Sequence, residues 1–326
     1  MLTRRGFGLG VAIVGLAGSA AAQTAPPQPF YPNHPQYATA ADMLNNNRWA
    51  DLVATLSALP PASAVVLLED LGQGSPLRDN LDALARVRGG KTVAGAIQIG
   101  WAWRYRGAGT TIVNEDAFGR QLVRAADLLA TALSDDANDG VAAMYLMRCL
   151  KGGGEKKDLE ALLPIYLASR RKPVQGLSQY ADAISEKWMG TDAECLAFAR
   201  QYAGSAAPAS YGVVPWAHFV VRDSHAMSDD AQIQQSAPSY FTNADVTAEI
   251  ITAHEHFLAA PADSDNFAMQ FAHAEFSYVF LTMNDMDRLR VHLAGQGEFI
   301  GGPWIELRDP HGVLLHLRSL FGLSAG

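Results

Sequence analysis

Lys187-Trp188-Met189-Gly190-Thr191-Asp192-Ala193-Glu194-Cys195-Leu196-Ala197-Phe198-Ala199-Arg200 decides the fold class, because it closes one helix and opens the next. Gly190 suits the left-handed position just past a helix C-terminus, where a side chain is strained, and Trp188 closes the preceding apolar face. Thr191 reads as an N-cap. Glu194, three residues on, completes a capping box in which each side chain satisfies a backbone N–H at the other's end. The stretch is the hinge of a helical hairpin.

The same pattern extends outward in both directions. Downstream of the hinge, helices are predicted over 192–203, 208–226, 243–259, 264–282 and 285–296. Upstream, they are predicted over 138–151, 155–170 and 173–188, broken by Gly152-Gly153-Gly154 and Pro173. Asn114 reads as an N-cap between Val113 and Phe118, the spacing of a hydrophobic staple, and opens a helix to about Leu133. Residues 92–106 form another, and residues 40–58 place Met43, Leu44, Trp49, Leu52, Val53 and Leu56 on one face until Pro60-Pro61 stops them. A helix over 62–72 follows, then Ser75-Pro76 reads as an N-cap with proline at the first helical position. Period-two strands with turn dipeptides are absent. The expectation is an all-α protein built as a degenerate tetratricopeptide-like array of helical hairpins, an α-solenoid, spanning residues 39–326 as one domain.

The N-terminus carries an address. Arg4-Arg5, the apolar run Val11 to Ala17 and Ala20-Ala21-Ala22 make a signal peptide over 1–22, too short for a permanent membrane span. Thr3-Arg4-Arg5 with Phe7 resembles a twin-arginine export signal, although Gly8 and Leu9 depart from it. Export to the periplasm or beyond is expected, with cleavage after Ala22. Removing the leader takes the formal charge from −8 to −10 and leaves about 304 residues. A dispersed acidic charge excludes sequence-independent nucleic-acid binding, which needs clustered Lys and Arg. Residues 23–38 carry Pro26, Pro27, Pro29, Pro32 and Pro35 and read as an extended linker whose Phe30, Tyr31 and Tyr37 pack back on the body. Two cysteines, Cys149 and Cys195, are too few for a disulfide framework. The exported compartment lets them pair if their helices are neighbours; otherwise they are two buried thiols.

Three blocks carry a family resemblance: Trp103-Arg104-Tyr105-Arg106-Gly107-Ala108-Gly109 up to Val113; Lys187 to Thr191 with Phe198-Ala199-Arg200; and Asp263 to Phe271 leading to Pro303-Trp304. In order and spacing they resemble the bacterial family catalogued as domain of unknown function 4034, over roughly residues 40–306. Tyr105 and Met189 stand where that family has small residues. The resemblance implies a helical-repeat architecture and no established activity, so it transfers no catalytic residue.

Two groups of residues invite a functional reading. Trp101, Trp103, Arg104, Tyr105 and Arg106, with Lys187 and Trp188, have the composition of a binding hot spot for a protein or peptide partner. The plainer account is packing at helix ends, with arginines capping terminal carbonyls. Eight of the nine histidines lie from His218 onward. His254 and His256 point about 200° apart on one helix and cannot share an ion from it. A metal site needs one of them with His273 or Glu275 of the next helix. No nucleophile elbow, phosphate loop, paired-cysteine motif or dinucleotide fingerprint appears, so no cofactor is expected.

Overall fold

A computed structural model describes residues 30–76, 81–106, 114–205, 207–261, 264–307 and 309–323, the side chains of Arg106 and Glu306 excepted. Among the described residues there are sixteen α-helices and no strand. They are α1 (Tyr37–Asn45), α2 (Trp49–Ala58), α3 (Pro61–Gly74), α4 (Asp82–Ala85), α5 (Gly90–Arg106), α6 (Glu115–Asp135), α7 (Gly140–Lys151) and α8 (Lys156–Ala168). Then come α9 (Gln175–Ala183), α10 (Asp192–Tyr202), α11 (Val213–Ala226), α12 (Ala231–Ser236), α13 (Ala244–Ala259), α14 (Asn266–Thr282), α15 (Met286–Gln296) and α16 (Pro310–Leu320). The all-α class is as the sequence reads.

Local chemistry explains where these elements start. Thr191 caps α10 by accepting from the Glu194 N–H, Asn114 caps α6 through Ala117, and Asn243 caps α13 through Asp245 and Val246. The Glu194 carboxylate in turn accepts from the Thr191 backbone and is held below its ordinary pKa by Lys156, so the capping box is complete.

Other expectations are corrected. Gly190 is not left-handed. Its role is close approach: a Cβ there would collide with the carbonyl oxygen of Ile184, because the chain after α9 folds back on the helix end. Gly190→Ala is therefore expected to cost about 1–3 kcal/mol, read as a lower midpoint in urea unfolding with an unchanged slope. The helix predicted over 40–58 is two helices, split where Asn47 takes a φ of 57°. Ser75 ends α3, its hydroxyl returning to the Leu71 carbonyl; the first turn of the helix expected after Ser75-Pro76 falls on residues 77–80, outside the described residues, and Leu81 precedes the single turn of α4. Between α11 and α13 lies the short helix α12, capped by Asp230. Helix α16, capped by Asp309 with Pro310 in its first turn, was not anticipated. The leader, and Val113 of the proposed staple, lie outside the described residues.

Helices α3, α5, α7, α9, α11 and α14 each pack on the next, and α14 returns to α3. The array thus closes on itself instead of running as an open solenoid. Helices α6, α8, α10, α13 and α15 cover the outside of this circuit. Gly72 and Gly100 let the α3 and α5 backbones touch: a Cβ on Gly72 would lie 2.9 Å from the Gly100 Cα. The seam between first and last inner helices is polar. Asp265, just before α14, accepts from the Ala62 N–H at 2.8 Å and the Ser63 hydroxyl at 3.3 Å, which satisfies the N-terminus of α3. Two bonds cross the interior: Tyr145 of α7 donates to the Val65 carbonyl of α3, and Ser178 of α9 donates to Glu275 of α14.

The described part of the linker, residues 30–36, is docked along this seam. Asn33 exchanges two hydrogen bonds with the Ile300 backbone (2.8 and 3.0 Å), and the His34 N–H donates to Asp70 at 2.7 Å. Phe30 meets Tyr37 edge-on, and Tyr31 stacks on His311. Cys149 on α7 and Cys195 on α10 remain separate buried thiols, not a disulfide, because α9 packs on both of their helices. Burial pushes both thiols well above their ordinary pKa, which leaves them unreactive.

Candidate functional site

The C-terminal ends of the inner helices meet at one mouth of the circuit. Basic residues fall there for a local reason, since the last turn of α7 carries Arg148 and Lys151, where the helix dipole favours cations. Arg148 reaches Glu69 of α3 at 3.2 Å, Lys151 reaches Asp182 of α9 at 2.5 Å, and Lys187, after α9, reaches Asp223 of α11 at 2.7 Å. Each pair ties one inner helix to another.

Two indoles enclose the middle pair. The Lys151 Nζ lies 5.3 Å from the Trp103 ring and 5.3 Å from the Trp188 ring, with Arg148 over the Trp103 ring at 5.6 Å and Lys187 over the Trp188 ring at 5.9 Å. The Trp188 indole N–H donates to the same Asp182 carboxylate at 3.1 Å. Cation–π contacts of this kind contribute about 0.5–2 kcal/mol each, more as the cation is desolvated. Burial lowers the Lys151 pKa, with Arg148 and Lys187 adding to the effect and Asp182 opposing it. The result is a preformed surface of two partly exposed indoles held by a desolvated ion pair.

The candidate binding residues divide accordingly. Trp103, Lys187 and Trp188 come together at the mouth, although 85 positions separate the two tryptophans. Arg104 lies exposed at its edge, and one of its guanidinium nitrogens donates to the Ser75 carbonyl at 2.7 Å, capping the end of α3. Trp101 is fully buried on the opposite face of α5, with its indole N–H toward the Ser75 hydroxyl. Tyr105 is half-buried against the core. The Arg106 side chain lies outside the description. Arg148 and Lys151 were missed; the only signal in the sequence was their place in the last turn of a helix.

Comparison with protein-family models, curated proteins and solved structures gives no match.

The histidines gather elsewhere, in the wedge between α13, α14 and α15. Nδ1 of His254 meets Nε2 of His292 at 2.8 Å, and Nδ1 of His273 meets Nδ1 of His292 at 2.9 Å. His292 is the hub, and sequence reasoning missed it because it stands alone on α15. Phe257, Phe276 and Phe280 pack around the three rings. Burial lowers all three imidazole pKa values, that of His273 to about 4, and the neighbouring rings lower His273 and His292 further. Because His292 is engaged through both nitrogens, the rings are strung in a line instead of aiming at one point. Among the described residues, no group of three or more His, Cys, Asp or Glu is placed to hold a metal ion. His256 faces the Tyr211 ring, and Glu275 points across the interior to Ser178 at 2.6 Å, so neither joins His254 and His273.

Proposed function

We propose that this chain is an exported helical-repeat protein, acting in the periplasm, that binds a protein or peptide partner at the mouth of its helical circuit. The observation that carries this reading is the convergence of Trp103 and Trp188 on Lys151. Two distant segments, each with the residue types that dominate binding hot spots, form one surface whose rings are already positioned, so little side-chain entropy is lost on binding. The signal-like N-terminus supports export, and no helix among the described residues is long and apolar enough to cross a membrane. The three blocks resembling domain of unknown function 4034 add a helical-repeat expectation and no activity.

The test is in-cell crosslinking from the periplasm followed by capture of the tagged mature chain. Trp188→Ala is expected to reduce recovery of the specific partner about tenfold or more, the effect of losing a hot-spot aromatic. Equal recovery with Trp188→Ala and Trp103→Ala, both folded by circular dichroism, contradicts the reading.

A second reading, a metal-dependent protein using the C-terminal histidines, starts from the nearness of His254, His273 and His292 and requires these rings to give up their mutual hydrogen bonds and turn toward one ion. Stoichiometric zinc or iron in untagged protein supports it. Loss of that metal in His273→Gln assigns it to this wedge.

A further inference from the structure

At the seam where the N-terminal arm crosses the end of α14 lies a cleft of about 480 Å³, within the size range of small-ligand pockets. It is separate from the mouth. Its walls come from the arm (Tyr31, Asn33), the start of α14 (Asn266, Phe267, Gln270) and the segment after α15 (Glu298, Phe299), with His311 of α16 beyond them. The frame is fixed on three sides. The Asn33 carboxamide is locked to the Ile300 backbone, His34 stacks on Phe267 with ring centroids 5.0 Å apart, and Tyr31 stacks on His311 at 4.1 Å.

The lining has a definite chemistry. Tyr31, Phe267 and Phe299 supply aromatic surface. Among the described residues, the carboxamides of Asn266 and Gln270 and the carboxylate of Glu298 form no hydrogen bond or ion pair within the protein, so donors and acceptors stand available beside those rings. Among the described residues, no Lys or Arg lines the cleft. A phosphate or carboxylate ligand would meet the Glu298 carboxylate. An apolar ligand would leave the partly buried Gln270 carboxamide desolvated without a partner, at about 1–3 kcal/mol, and would leave the Asn266 and Glu298 groups at the rim unused. The remaining class presents a C–H face to aromatic rings and hydroxyl or amide groups to carboxamides and a carboxylate.

We propose that this cleft binds a neutral sugar unit, one face laid on the aromatic wall and its hydroxyls bonded to Asn266, Gln270 and Glu298. The site is independent of the partner surface at the mouth, and each can fail without the other.

Saturation-transfer difference NMR on the full mature protein, with glucose, N-acetylglucosamine and chitobiose as neutral probes and glucuronate as the charged control, tests the proposal. At millimolar concentration a neutral probe is expected to receive saturation chiefly on its ring C–H protons, with affinity about tenfold weaker in Tyr31→Ala and in Gln270→Leu. Both side chains are at least partly exposed, so the fold is expected to survive, as circular dichroism checks. Three results overturn the proposal: no transfer to any neutral probe, transfer undiminished in both folded variants, or glucuronate binding as tightly as glucose.

Discussion

Glu275→Gln is expected to stabilise the protein above pH 4.5, increasingly as pH rises, a rare sign for a substitution at a fully buried position. The Glu275 carboxyl is 1 % exposed, wedged against Gly212 and Gly302, with Ser178 as its hydrogen-bond partner. Burial pushes its pKa well above the ordinary 4.5, and the Ser178 bond opposes this only in part. Folding therefore favours the protonated carboxyl, relative to the unfolded chain. A group whose folded pKa is raised contributes stability that is complete below pH 4.5 and is lost as pH climbs. Glutamine has the same shape and carries no such penalty. The gain should be close to zero at pH 4.5 and grow with pH, as measured by urea unfolding across that range. A loss of stability at every pH would show that Glu275 is ionised and held by a partner.

The histidine wedge has the opposite sign. His254, His273 and His292 are all depressed by burial, and a depressed imidazole contributes stability that is complete above pH 6.5 and is lost as pH falls toward the folded value. For His273, whose folded pKa is about 4, the loss between pH 6.5 and pH 4 amounts to about 3 kcal/mol. His273→Gln is expected to flatten this acid limb by a similar amount, at a cost of about 1 kcal/mol near neutrality for the lost ring contact. If unfolding midpoints of wild type and variant fall in parallel between pH 6.5 and 4.5, the wedge is hydrated and the account of it is wrong. Asp70, pushed up to about 7 by burial, with the backbone N–H groups of His34 and Asn33 opposing the rise and Glu69 adding to it, joins the Glu275 side of the balance. Stability should therefore peak in mildly acidic solution.

What the sequence disclosed was local. The caps at Asn114 and Thr191 were legible because each is a short-range contract between a side chain and backbone groups three residues away. Helix class followed from apolar periodicity. Gly190 was legible as necessary but not for its reason, since a left-handed turn and a close backbone approach both demand glycine. Closure of the circuit was not legible. It depends on Asp265 meeting Ala62 and Ser63 some 200 positions away, and an aspartate before a helix reads locally as that helix's own cap. The same limit applied to the sites. Trp103 and Trp188 announced themselves by residue type, whereas Lys151, which joins them, is an ordinary lysine at a helix end until the third dimension is known. His292 stayed hidden beside the conspicuous His254-Glu255-His256. Glu275, grouped with those histidines by proximity in the chain, sits on a different face of α14.

The circuit, and the cleft at its seam, depend on the first inner helix meeting the last. Small-angle X-ray scattering of the mature chain tests this directly. A closed circuit of about 304 residues should give a radius of gyration near 19 Å with a single symmetric distance distribution. A value well above that, with the long tail of an extended superhelix, would mean that α3 and α14 do not touch and that the helices form an open array after all.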